Sequence, residues 1–121
     1  MHRDMDLVRE LLLRIDQDPS LDGTRWVHFD PSELGMPDRS PEEIGYHLDM
    51  LIECNFVKGQ IGMETIPIVC KLTWDGHEFL DGIRDPDIWN KTKKRVEGLA
   101  SVTLKVVAAI AEAEIKRKLG L

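Results

Sequence analysis

The sequence predicts an α+β fold, with helices around a small antiparallel sheet. Three observations carry that reading. The stretch from Ser40 to Cys54 has a capped start and an amphipathic pattern. Phe56-Val57 and Ile66–Leu72 have strand character, and a long helical pattern runs from Asp87 to Leu119. At 121 residues, 42% hydrophobic and 31% charged, the chain has the size and balance of a globular protein that buries roughly two-thirds of its unfolded surface.

In chain order, Asp4 stands where it would cap a first helix, in which Met5, Val8, Leu11, Leu12 and Ile15 recur at three and four. Asp18-Pro19-Ser20 and Asp22-Gly23 end it with turn chemistry. Trp26-Val27-His28-Phe29 reads as a short strand beside the later pair. Pro31–Leu34 allows one helical turn, and Gly35-Met36-Pro37-Asp38 is a loop. Ser40 is an N-cap, Pro41 suits the first helical position and Glu43 completes a capping box. At 100° per residue, Ile44, Leu48, Leu51 and Ile52 share one side of this helix and Glu42, Tyr46, Asp49 and Glu53 the other. Asn55 tolerates left-handed backbone and ends it.

In Ile66–Leu72, Ile66, Ile68, Cys70 and Leu72 alternate with Pro67, Val69 and Lys71, and Pro67 leaves the outer end partly unpaired. The hairpin tip falls around Gly59, Gly62, Met63 and Glu64. Thr73 caps a further helix with Trp74, His77, Leu80 and Ile83 inward, and Gly76 lets it approach another backbone closely. Asp85-Pro86 opens the last helical run, in which Gly98 marks a bend or break. From Leu99 on, one apolar stripe collects Leu99, Val102, Val106, Val107 and Ile110, and a second collects Leu104, Ala108, Ala111, Ile115 and Leu119. A helix apolar on two sides needs two partners, the simplest being its own body and a second copy of the chain, with Leu104, Ile110 and Ile115 as contacts.

Helix, hairpin and returning helix in this order resemble the winged-helix form of the helix-turn-helix. The patterns YHLDMLIECNFV and LTWDGHEFL carry the likeness, with Asn55 where Gly is usual. On that resemblance residues 1–84 form a winged-helix domain, and the two stripes make 85–121 a helical extension expected to pack on it and dimerise. RDMDLVRELLLRI, EEIGYHLDMLIE, LTWDGHEFLDGIRDPDIWNKTK and IKRKLGL further resemble the bacterial and phage-associated family called domain of unknown function twenty-five thirteen. That resemblance implies a winged-helix shape and brings no established activity.

A winged helix that binds DNA lays its second helix in the major groove, and phosphate neutralisation supplies most of the affinity. Here the outward residues of that helix, Glu42, Tyr46, Asp49 and Glu53, include no cation, and no Lys or Arg occurs between Ser40 and Val57. The wing offers Lys58 and Lys71. Residues 1–89 hold 8 basic and 19 acidic side chains, and residues 90–121 hold 8 basic and 3 acidic. Lys91, Lys93, Lys94 and Arg95 form a basic cluster suited to a phosphate or an acidic partner. Lys116, Arg117 and Lys118 suit a helix C-terminus. Two partners follow: DNA, for a regulatory protein, or another protein, for an interaction module that kept the shape and lost DNA contact.

Other chemistry is not indicated. Cys54 and Cys70 lack metal-ligand spacing and read as free buried thiols. His28, His47 and His77 read as interior, hydrogen-bonded imidazoles, with no supporting ligand at helical spacing. No nucleophile–base pair and no phosphate-cradling Gly-rich loop occurs, so neither enzyme activity nor a cofactor is expected. Met1-His2-Arg3-Asp4 is not apolar, and the longest apolar run, Val106–Ala111, is far short of the roughly 20 residues a span needs, so a cytoplasmic protein is expected.

Overall fold

The structure is a computed structural model that describes residues 1–62 and 66–121. Among the described residues, five α-helices and one three-stranded antiparallel sheet make it α+β, and the chain divides into two compact units, Met1–His77 and Glu78–Leu121.

In the first unit, helix α1 (Met5–Gln17) starts where the Asp4 carboxylate accepts from the Leu7 N–H at 3.1 Å, and it buries Leu7, Val8, Leu11, Leu12 and Ile15. Strand β1 (Val27–His28) and a 3₁₀ turn (Pro31–Glu33) lead to helix α2 (Pro41–Glu53), where Ser40 Oγ accepts from the Glu43 N–H at 3.1 Å. The Glu43 carboxylate lies 3.6 Å from Arg39, which also donates to Asp4 and so ties the starts of α1 and α2 together. Between the helices sits His47, fully buried: its Nε2 accepts from the Asp4 N–H and its Nδ1 faces the Glu43 carbonyl, both at 2.8 Å.

Strands β2 (Val57–Gln60) and β3 (Ile68–Leu72) pair antiparallel, and β1 pairs with the other edge of β3, giving the order β1-β3-β2. Val57 faces Leu72 and Lys58 faces Lys71; a bulge then brings Gly59 opposite Val69. Asn55 takes φ 64°, the left-handed turn that redirects the chain from α2 into β2. Helix α3 (Trp74–Ile83) begins with the Gly76 N–H donating to Thr73 Oγ1 at 3.1 Å, while the Thr73 hydroxyl donates to the Asn55 carbonyl. A Cβ on Gly76 would lie 2.1 Å from the Phe56 carbonyl oxygen, so only glycine fits there.

Several expectations need correction here. The strand expected from Ile66 starts at Ile68, because Pro67 has no N–H for a ladder; its carbonyl instead accepts from the Phe29 N–H at 2.8 Å. Val69 and Cys70 are both buried, as suits a central strand covered on both faces. Gly59 lies in β2 rather than at the hairpin tip, and Met63 and Glu64 fall outside the described residues. Trp74 and His77 are exposed, whereas Gly76, Phe79, Leu80 and Ile83 are buried. Counting every third residue drifts 60° around a helix per step, and so carried the expected face of α3 from the outer side to the inner. His28 is likewise exposed, leaving His47 as the interior histidine of the three. Cys70 is buried and Cys54 exposed, both free; partial burial nevertheless pushes the Cys54 thiol pKa up.

In the second unit, the expected helical run breaks at Gly98 into helices α4 (Pro86–Val96) and α5 (Leu104–Lys118), and residues 97–103 between them are not helical. Gly98 takes φ 88°, and Thr103 caps α5 by accepting from the Val106 N–H at 3.2 Å. The two helices pack on each other through Ile88, Trp89 and Thr92 of α4 and Val107, Ala111 and Glu114 of α5. That α5 seam falls between the two expected stripes, drawing Val107 from one and Ala111 from the other. Leu99 precedes the helix and is exposed. No helix among the described residues is long and apolar enough to cross a membrane.

Candidate functional site

The outward face of α2 is as expected: Glu42, Tyr46, Asp49 and Glu53 are all exposed, Tyr46 at 42%. The Tyr46 ring meets the buried His47 ring edge-on at 5.8 Å between centroids, which fixes the base of the only aromatic side chain on that face. The helix therefore offers three carboxylates and one amphipathic ring, set on a backbone held at its start by Ser40 and at its end by Asn55.

The two hairpin lysines are cross-strand partners. Lys58 and Lys71 are opposite one another in register and both exposed, and Lys58 Nζ lies 5.9 Å from the ring centroid of Trp26. Two cations directly opposed on a sheet repel each other, and an anion between them relieves that repulsion. Trp26 was missed as a site residue by sequence reasoning. An aromatic immediately before a short edge strand was the available signal.

The 91–95 cluster is different from the free basic patch expected. Lys91 lies 3.2 Å from Asp87, Lys93 lies over the Trp89 ring at 5.9 Å and Arg95 Nε lies 2.6 Å from Glu114. Lys94 is exposed, without an ion pair among the described residues. Glu114 is the buried carboxylate that organises this region, taking Arg95 and, at 3.0 Å, Arg117. A buried charge persists only when paired in this way. Its sequence signal was the Glu114–Arg117 spacing of three. At the other end of α4, the N–H groups of Ile88 and Asp87 and the Lys118 ammonium hold the Asp85 carboxyl below the ordinary carboxylate range, and Asp85 in turn raises Lys118. The residues expected to meet a second copy, Leu104, Ile110 and Ile115, are half-buried on α5, and Val106 beside them is exposed.

Among the described residues no three His, Cys, Asp or Glu side chains converge as a metal site would require. A family profile described as "Hypothetical protein (DUF2513)" matches residues 2–103. The chain belongs to that family. This DUF2513 chain is similar to a protein of Haemophilus influenzae titled "Uncharacterized protein", at 24% identity over 124 residues, covering 99% of this chain and 100% of the relative. No solved structure matches it.

Proposed function

We propose that the chain is a winged-helix module that docks a protein through the acidic outer face of α2. The succession α1, β1, 3₁₀ turn, α2, β2, β3, with β3 central in the sheet, supports the winged-helix reading, in which α2 takes the place of the helix that enters a major groove. The observation that carries the proposal is the exposure of Glu42, Tyr46, Asp49 and Glu53 on a helix without a single Lys or Arg. Phosphates flanking a groove repel such a face, each unit charge at 4 Å by about 1 kcal/mol even in water. A basic protein surface is attracted to it, and Tyr46 supplies the kind of anchor on which interfaces concentrate their energy.

Duplex titration tests this. With mixed-sequence DNA at low salt the protein is expected to show no binding, and charge removal by Glu42→Gln, Asp49→Asn and Glu53→Gln together is not expected to change that if α2 never meets phosphates. Binding that weakens steeply with salt overturns the proposal.

One observation favours a second reading, a DNA-binding regulator: the opposed Lys58 and Lys71 beside Trp26 form a hairpin surface that an anionic backbone would satisfy. Under it, Lys58→Gln and Lys71→Gln each lower the salt slope of duplex binding by about one. We also propose that α5 meets a second copy through Leu104, Ile110 and Ile115, because Val106 remains 43% exposed beside these half-buried side chains.

A further inference from the structure

The first unit contains a cleft of about 430 Å³ formed by the end of α1, the loop that follows it, the end of β3 and the start of α3. Its floor is apolar: Ile15, Leu21 and Leu72 are buried beneath it. One wall is Trp74, which stands 79% exposed, the most exposed of the three tryptophans. Around the rim are Asp16, Asp18 and Asp22, with Lys71 and with His77, whose Nδ1 lies 3.7 Å from Asp16; Arg25 is near enough to help hold the Asp22 carboxyl down.

Two of these carboxylates are fixed before any ligand arrives. Asp18 Oδ1 accepts from the Ser20 N–H at 2.9 Å and the Ser20 hydroxyl at 2.7 Å; Asp22 Oδ1 accepts from the Thr24 N–H at 3.0 Å and the Thr24 hydroxyl at 2.6 Å. Each turn uses Oδ1, so Oδ2 takes no part in it. Those Thr24 hydrogen bonds, from the hydroxyl first, keep the Asp22 carboxyl below its ordinary range, so it stays charged.

We propose that this cleft docks a protein segment through an arginine, whose guanidinium lies on the Trp74 ring and donates to Asp18 and Asp22, with an adjacent apolar side chain on the Ile15–Leu21–Leu72 floor. Charge complementarity selects the occupant: three carboxylates and one lysine line the cleft, and Met1–His77 holds 15 acidic against 7 basic residues. Arginine suits the site better than lysine because its flat, weakly hydrated fork both stacks on an aromatic face and pairs with carboxylates. An exposed tryptophan over an apolar floor gains by being covered, which a free cation alone cannot do. This surface shares no residue with the acidic face of α2, so the inference goes beyond the docking reading above and stands or falls separately.

The test follows the Trp74 indole N–H resonance of the full chain during titration with three probes: argininamide, a capped Leu-Arg-Leu-Arg peptide, and that peptide with citrulline for arginine. The arginine peptide is expected to shift Trp74 and the amides of residues 18–24, and to bind at least about tenfold tighter than argininamide. The citrulline peptide is expected to leave them unmoved. Asp18→Asn and Asp22→Asn keep an Oδ1 for their turns and should each weaken binding about threefold or more, as a lost charge-assisted hydrogen bond does. Trp74→Ala should abolish it, whereas the α2 triple variant should bind as wild type. Equal response to citrulline, equal affinity for argininamide and peptide, indifference to Trp74→Ala, or no shift with any probe overturns the inference. A molecular mass that halves on Trp74→Ala without added peptide overturns it too, since the occupant is then a second copy.

Discussion

His47 shows how one side chain fixes a helix junction. Its ring must carry the proton on Nδ1 for the Glu43 carbonyl and leave Nε2 bare for the Asp4 N–H, a single neutral tautomer joining two helix starts. Replacing it by leucine fills the space but leaves the Asp4 N–H without its acceptor, while the Glu43 carbonyl keeps its helical bond, so His47→Leu is expected to lose about 1–3 kcal/mol in urea unfolding. His47→Gln, which can still offer an acceptor and a donor, should lose less; equal losses would show that packing alone holds the residue. Gly76 is constrained by contact rather than by dihedral angle. A β-carbon there meets the Phe56 carbonyl at 2.1 Å, so Gly76→Ala must push α3 off the α2–β2 turn and is expected to cost about 3 kcal/mol or more by the same measurement. Gly82, the last residue but one of α3 with open space around its missing Cβ, is the control: Gly82→Ala should be neutral or stabilising.

Elements with local instructions were legible in the sequence, and those decided by distant partners were not. α1 and α2 carry their own caps and apolar spacing, and the structure begins both where Asp4 and Ser40 predict. Asn55 reads correctly because a left-handed residue is a local requirement. The α4–α5 break was visible only as Gly98, since nothing nearby says that seven residues leave the helix and that Thr103 caps a new one. Lys91 and Arg95 looked free because their partners are set by helix geometry, one of them 19 residues away at Glu114. The α2 face was legible in full, the Trp74 cleft not at all, because Trp74 was placed inside. The α1 cap also carries a pH signature. Partial burial raises the Asp4 carboxyl, but hydrogen bonds from Arg39 and the Leu7 N–H outweigh it and leave the pKa lowered. A carboxyl depressed in the fold contributes stability above its unfolded value of about 3.9, and that contribution is lost as pH falls through the folded value. Asp4→Asn keeps a capping oxygen but removes the charge that Arg39 meets, so it should lower stability at neutral pH and flatten the acid limb of the stability curve below pH ~4. An unchanged acid limb would mean that other carboxylates govern it.

On the scale of the whole molecule, charge is divided so that Met1–His77 is strongly acidic while the basic residues past Asn90 are mostly held by partners within their own unit. Their neutralisation by Asp85, Asp87 and Glu114 leaves α5 with its apolar side chains, rather than its cations, as the feature available to another chain. Leu104 and Ile115 lie on one flank of the Val107–Ala111–Glu114 seam and Ile110 on the other, and Val106 extends the Ile110 flank into solvent. An apolar flank half-covered by its own unit loses its remaining contact with water when a second copy covers it, at roughly 25 cal/mol per Å². An assembly built this way is insensitive to salt, whereas one built on the 91–95 and 116–118 cations weakens as the Debye length shortens. Light scattering across a salt series is thus expected to give a constant mass of two chains, and Ile110→Glu, which places a charge on the apolar flank, to give one chain at every salt concentration. A wild-type mass of one chain, or a mass for Ile110→Glu equal to that of the wild type, would assign these side chains to intramolecular packing and leave α2 and the Trp74 cleft as the surfaces through which this chain meets others.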